Sequence, residues 1–352
     1  LVHAMDRFMA MFDTVRDGAV THAMAEIPDS PLERTHHLKA AGYYFDAAMM
    51  GAARIEPEHW LALPIRNRGI DAIRVELEQG QPKSFAAGID AIHADILDSA
   101  RATPGSVAHH EHALVILVDH ARDPGPDEDG TEWFQDAQPH RAALLAANVA
   151  VLLSSYLRLL GHEARAHTAT TSEVDLPRLA LSAGLAAIRA GQPENPFLGA
   201  RYGLAAVTTT LEMATDLPLA GGDWKKADRV ATGHETRRRP AMTGRPYRLG
   251  PHPVERLRRG ERPTTLVDEP RIPRFPKRAD FFVRKSPMGA CARRALGALL
   301  LLQFGEARGP VDASATDPDR NADNIKGAAH YLSTDAVGLT PIPEWAWYSH
   351  DA

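Results

Sequence analysis

Histidine is the side chain in this sequence best suited to chemistry, with 17 in 352 residues. "HHEH" (His109 to His112) leads into an apolar run, His36 and His37 stand together at a helix start, and His162 and His167 flank "EARA". A catalytic zinc centre needs three converging ligands or, on one helix, His at i and i+4 with Glu between. Neither adjacent pair has that spacing, and both are expected to face solvent. His162 and His167, five apart in an extended segment, fall on opposite faces. No metal ligand is therefore assigned. "GARYG" (Gly199 to Gly203) and "GLAAIRAG" lack both the lysine of a phosphate loop and the spacing of a dinucleotide fingerprint. There is no nucleophile elbow, and the hydroxyls and carboxylates of "HTATTSEVD" read as turn chemistry. Cys291 is the single cysteine, which excludes an internal disulfide and any four-thiolate cluster made by this chain alone. Arg293 and Arg294 beside it would lower the pKa of an exposed thiol, but a helix start burying a small residue is the expected setting. No catalytic residue is assigned, and no cofactor-binding residue is identified.

The elements that would carry these residues follow from periodicity. Residues 1–34 look helical up to a turn at "IPDSP". Ile73, Val75 and Leu77 alternate with charges as in a half-buried strand. Ile89, Ile92 and Ile96 have helical spacing behind a Ser84 cap. "HALVILVDH" is a continuous apolar run of the kind found in a central strand. A helix of about six turns is expected from His140 to Leu160, stopping at Gly161. Its core, "ALLAANVAVLLSSYL", is shorter than a membrane span and reads as a buried helix. A strand and turn are expected over 162–175. A helix opens at Leu176 and Pro177 and ends before Gly191, and "RYGLAAVTTTLEM" is a last strand. Helices alternating with buried strands give an α/β or α+β sandwich.

From about Gly221 the composition turns basic and Pro-rich, with few apolar runs. It reads as an extended connection lying on a larger body. A nucleic-acid or membrane patch is the other reading, but no aromatics interleave the arginines as single-strand binding needs. The chain is 44% hydrophobic and 24% charged with net charge −5, so it has a core and is no general polyanion binder. One cysteine suits a reducing compartment, and no secretory segment opens the sequence; a cytoplasmic location is expected. The chain starts on Leu1 rather than Met, so an upstream segment is expected to be missing.

The two ends of the chain repeat one another. "THHLKAAGYYFDAAMMGAARIEPEHW" (Thr35 to Trp60) aligns without a gap on residues 322–347. Lys39 falls on Lys326, Ala41 on Ala328, Tyr44 on Tyr331, Gly51 on Gly338, Ile55 on Ile342 and Trp60 on Trp347. Each copy reads as an amphipathic helix, a Gly at a tight helix-to-strand junction, a short strand and a turn built around Trp. The spacing is far longer than that of a solenoid repeat, so a domain is duplicated.

The order of motifs resembles the corrinoid-dependent reductive dehalogenases and, more distantly, the epoxyqueuosine reductases. The carriers are "YLRLLGHEARAH", "VDLPRLALSAGLAA", "GARYGLAAVTTTLEMATDLPL" and the closing "NIKGAAHYLSTDAVGLTPIPEWAWYSHD". The resemblance implies a degenerate nitroreductase-like, cobalamin-binding type of domain over 1–220, a mixed sheet flanked by helices. It implies a basic linker over 221–310 and the truncated start of a second, catalytic domain over 311–352. In the family the "TDLPL" segment leads into cysteines that hold two [4Fe-4S] clusters; here Leu217, Pro218 and Leu219 lead into a stretch without cysteine. The chain therefore resembles the non-catalytic half of a catabolic dehalogenase, and the family's proton-donating Tyr and cluster cysteines are expected beyond Ala352. Tyr43, Tyr44 and Tyr156 are left to packing. The complete protein is expected to use cobalamin and two [4Fe-4S] clusters on an organohalide, a halogenated phenol or hydroxybenzoate. A ferredoxin or flavin reductase module would feed it electrons, and it would form a homodimer with no nucleic-acid or membrane partner. This chain alone is expected to bind none of these cofactors. An interaction module without chemistry and a flavin-using nitroreductase-fold enzyme remain as other readings.

Overall fold

A computed structural model describes residues 1–79, 89–120, 134, 136–219, 287–302, 316–332, 334, 337–342 and 344. Helix α1 (Val2–Thr14) precedes an irregular stretch, then come α2 (Pro31–Tyr44), β1 (Met49–Arg54), β2 (Trp60–Ile65) and α3 (Gly69–Gln79). Next are α4 (Ile89–Arg101), β3 (His112–Asp119), α5 (Ala137–Leu159), β4 (Ala164–His167), β5 (Ser172–Val174) and α6 (Leu176–Ser182). The hairpin β6 (Ala187–Arg189) and β7 (Gln192–Glu194) leads to β8 (Tyr202–Thr209), α7 (Pro287–Leu300) and α8 (Pro318–Tyr331).

The main sheet has the order β1-β3-β8-β4. The mixed sheet expected from the sequence is not what forms: every ladder among the described residues is antiparallel. Alternation along β3 and β8 divides the interior in two, because successive side chains leave a strand on opposite faces. Leu114, Ile116 and Val118 join Ala205 and Val207 under α1, α5 and α7. Ala113, Val115 and Leu117 join Ala206 under Leu176, Leu179 and Ala180 of α6. β3 is thus buried on both faces, which is why it reads as an unbroken apolar run.

Helix α5 is the spine of the first core. Its 23 residues are long and apolar enough to cross a membrane by length and composition alone, yet 61% of its most apolar window is buried inside the protein. It lies directly on β8: a Cβ added at Gly203 would come within 2.5 Å of the Ala142 backbone. Beyond its end, Gly161 adopts φ +95°, the left-handed conformation that closes a helix cheaply only for glycine.

Four local expectations are corrected. Residues 69–79 are helix, not strand: Ile73 and Leu77 are buried at helical spacing while Val75 is exposed. The helix opening at Leu176 ends at Ser182, where Gly184 turns at φ +67°, and Gly191 is the turn of the β6–β7 hairpin. Only 2–14 and 31–44 are helical in the N-terminal segment. Gly51 is not at the helix-to-strand junction but inside β1, opposite Val115. Its missing Cβ is required there because α6 comes close: a Cβ would lie 2.5 Å from the Ala183 carbonyl oxygen. Ser84 and most of the basic segment lie outside the described residues.

The helix after that segment, α7, packs into the first core through Cys291, Ala295 and Ala298. The two repeat copies share one helix, with identical bounds at the sequence offset. Both α2 and α8 run from Pro to Tyr over 14 residues, with Ser30 and Asp317 as N-caps accepting backbone N–H groups. Beyond the helix they differ. β1 pairs with β3, whereas 337–342 form no strand among the described residues, and nothing lies within 4 Å of a Cβ added at Gly338. A strand needs a neighbour to satisfy its backbone groups, and the described residues offer the second copy none. Trp60 is half-buried at the start of β2 against the second core; Trp347 lies outside the described residues.

Candidate functional site

The short strand β4 has two chemistries on its two faces. Ala164 and Ala166 enter the core under α5, while Arg165 and His167 are buried on the other face. Burying such groups is tolerated only when hydrogen-bond partners replace water. The partners come from the C-terminal end of α1, the 168–173 turn and β8.

The first group centres on Asp13. Its carboxylate accepts hydrogen bonds from Thr168 Oγ1 and Thr170 Oγ1, both at 2.6 Å, and from Asn67 Nδ2 at 2.8 Å. Burial pushes the Asp13 carboxyl up, and these donors only partly offset it. The second is an ion network. Arg16 grips Glu173 with two parallel bonds of 2.8 and 2.6 Å, and Arg165 bonds Asp17 through Nε at 2.9 Å while approaching Glu173 at 3.5 Å. Burial alone would raise the Glu173 carboxyl, but the Arg16 bonds and His167 outweigh it and hold the pKa well below the usual carboxylate range.

The third group is a relay of imidazoles. His167 Nδ1 is 3.0 Å from Glu173 Oε2, its Nε2 is 2.9 Å from Thr208 Oγ1, and the same hydroxyl is 2.8 Å from His110 Nδ1. Burial lowers the pKa of both imidazoles, in His110 to about 4. Both are therefore neutral at pH 7. The Glu173 backbone N–H donates to His167 Nδ1 at 3.3 Å, and the Thr208 hydroxyl bridges His167 Nε2 and His110 Nδ1. His110 Nε2 is buried and without a hydrogen-bond partner. His109, expected to behave like its neighbour, is exposed and reaches Glu163 at 2.6 Å. The expectation that the pair faces solvent holds for His109 and fails for His110.

Chemically, the first two groups are a closed set of fixed charges that clamp α1 to β4 and β5. The Thr168–Glu173 hydroxyls and carboxylate were visible in the sequence. Asp13, Arg16 and Asn67 were not, because they arrive from distant parts of the chain. Of the three tyrosines left to packing, only Tyr156 packs against the first core; Tyr43 is exposed with its Oη accepting the Met50 N–H at 3.3 Å, and Tyr44 is exposed with its ring edge-on to Phe45. Cys291 is buried in that core, and burial pushes its thiol up. Arg293's side chain lies outside what is described.

No family model and no curated protein matches the chain. Solved structures do. The chain is similar to a variant of the catabolic reductive dehalogenase NpRdhA, with 27% identity and a TM-score of 0.68 over 99% of this chain and 48% of that one. The same dehalogenase in complex with 3-bromo-4-hydroxybenzoic acid gives 28% identity and a TM-score of 0.67 over 99% and 48%. A reductive dehalogenase structure described as suggesting a mechanism for B12-dependent dehalogenation gives 28% and 0.67 over 99% and 47%. The chain spans about half the length of these structures.

Proposed function

We propose that this chain is the non-catalytic scaffold half of a longer reductive dehalogenase that removes halide from a halogenated phenol or hydroxybenzoate. The observation that carries the reading is the likeness across 99% of this chain to a dehalogenase seen with 3-bromo-4-hydroxybenzoic acid, of which it covers 48%. The residues in hand do not fit the redox groups. A [4Fe-4S] cluster takes four thiolates, and the sequence has one cysteine, buried in an apolar core. A corrin needs an open cleft, but where the sheet is described its own helices fill both faces, with α5 and α6 in backbone contact with Gly203 and Gly51. No step is derived through either group.

In this reading 1–220 is a degenerate nitroreductase-like domain, 221–310 a linker whose helix α7 packs back into that domain's first core, and 311–352 the start of a second domain. Support for the last comes from its apolar side chains: Leu38 is 4% exposed, whereas its counterpart Ile325 is 43% exposed, as though awaiting a partner surface. Cobalamin, two [4Fe-4S] clusters and the proton donor would lie in the half of the related structures that this chain does not cover. A ferredoxin or flavin reductase would deliver electrons, and the protein would work in the cytoplasm as a homodimer.

The test compares purified 1–352 with the natural polypeptide that contains it, both supplied with cobalamin, iron, sulfide and a reductant. Bromide release from 3-bromo-4-hydroxybenzoate by the longer protein alone is the expected result. Release by 1–352 alone, or by neither, contradicts the reading.

A further inference from the structure

The sheet register delivers two chain segments to one point. β3 and β4 flank β8 on either side, and His112 and Ala164 both pair with Thr209. His110, two residues before β3, and Glu163, immediately before β4, therefore meet at the C-terminal end of β8. The turn before β3 is held by a 3.0 Å bond from His110 N to the Val107 carbonyl. Glu163 is fixed through its backbone, its carbonyl accepting Thr209 Oγ1 at 2.7 Å and its N–H donating to Thr210 Oγ1 at 3.2 Å.

One nitrogen, one imidazole beside it and one carboxylate converge there. One ligand atom from each of His109, His110 and Glu163 lies within 4.8 Å of the other two. The His110 side chain is only 2% exposed, and its Nε2 is buried without a hydrogen-bond partner. A buried polar nitrogen without a partner costs free energy, and an imidazole whose other nitrogen is held by a hydrogen bond, here to Thr208 Oγ1 at 2.8 Å, has the orientation of a metal ligand.

We propose that His109, His110 and Glu163 bind a divalent first-row transition ion, with Zn2+ the best match and water completing the coordination. Two imidazoles and one carboxylate are a borderline-soft donor set that suits Zn2+ over Ca2+ or Mg2+. Ligand bonds of about 2.0–2.1 Å at a tetrahedral ion set donors about 3.3 Å apart. His109 Nε2 to Glu163 Oε2 is 2.6 Å and His110 Nε2 to Glu163 Oε2 is 3.8 Å. Small movements therefore suffice, and the two ligands that must move are the exposed ones, at 51% and 54%, while buried His110 anchors the ion. Bound there, the ion would staple the turn before β3 to the α5–β4 corner. The site rests on these three residues alone and stands apart from the dehalogenase reading.

The experiment uses chelator-stripped 1–352 titrated with Co2+ followed by d–d absorption, then with Zn2+ as competitor, alongside thermal unfolding. Expected are one Co2+ per chain, displacement by Zn2+ and a Tm that rises with Zn2+. His109→Ala and Glu163→Gln, both exposed, should keep the metal-free Tm and lose at least about tenfold in affinity, the scale of losing part of a metal's shell. His112→Ala should bind as the wild type does. Absence of saturable binding, or unchanged affinity in His109→Ala and Glu163→Gln, overturns the proposal; the latter would place the ion on other histidines, and the former would leave the cluster a surface hydrogen bond beside a hydrated imidazole.

Discussion

Lys39 Nζ lies 2.6 Å from each carboxylate oxygen of Asp216, and Oδ2 of the same carboxylate accepts the Ala52 N–H, also at 2.6 Å. One side chain thus ties the segment after β8 to both α2 and the edge strand β1. That edge faces no other strand among the described residues, and Asp216 satisfies a backbone donor there that would otherwise be left to solvent. Asp216→Asn keeps the shape but loses the charge-assisted bonds. It should cost about 1.5–3 kcal/mol, read as a lower urea midpoint with unchanged slope; an unchanged midpoint would show that the clasp is ornamental.

Glu173 should govern the acid limb of stability. Its folded pKa is held below the ordinary carboxylate value of 4.5, so its contribution is complete above pH 4.5 and is lost as pH falls toward the lower folded value. His167 acts in the same direction at higher pH. Its folded pKa is depressed from 6.5, so stability is full above 6.5 and declines below it. Asp13 opposes both, because its raised pKa favours the protonated folded form. Glu173→Gln leaves Arg16 buried without its anion and should cost about 3–5 kcal/mol at pH 7. Chemical denaturation across pH 3–7 should show the gap to wild type narrowing below pH 4.5; a constant gap would contradict the charge argument.

Gly51→Ala and Gly203→Ala each place a methyl 2.5 Å from a helix backbone. Overpacking of this kind costs about 1–3 kcal/mol. Gly105, where nothing lies within 4 Å of an added Cβ, is the control, and its Ala variant should unfold with the wild type.

Cys291 should be inert in the native state. Burial raises its pKa and denies access, and only the thiolate reacts. Labelling with a thiol reagent should proceed after denaturation and stall before it; rapid native labelling would mean that α7 is not seated in the core.

Where burial alone decided structure, the residues already spelled it out. β3 is apolar at every central position because both faces are covered, and α5 shows its length because it spans the sheet. The segment 69–79 misled because Ile73, Val75 and Leu77 alternate, while the residues that enter the core, Ile73 and Leu77, also fit a helix. The likeness of the two ends was legible as a helix in each copy, but its start at Pro31 and Pro318 was not, nor was the lack of a strand over 337–342. The polar face of β4 was not. Asp13 and Arg16 reach Thr168 and Glu173 only through tertiary packing, and nothing in "HH" separates a buried His110 from an exposed His109 one residue away.

The proposal that 1–352 holds no corrin of its own is decided by anaerobic reconstitution with cobalamin, iron and sulfide, followed by desalting and visible spectroscopy. A protein fraction without a stoichiometric corrin spectrum or an iron–sulfur charge-transfer band is the expected outcome. Either signal surviving desalting at one equivalent per chain would overturn the proposal.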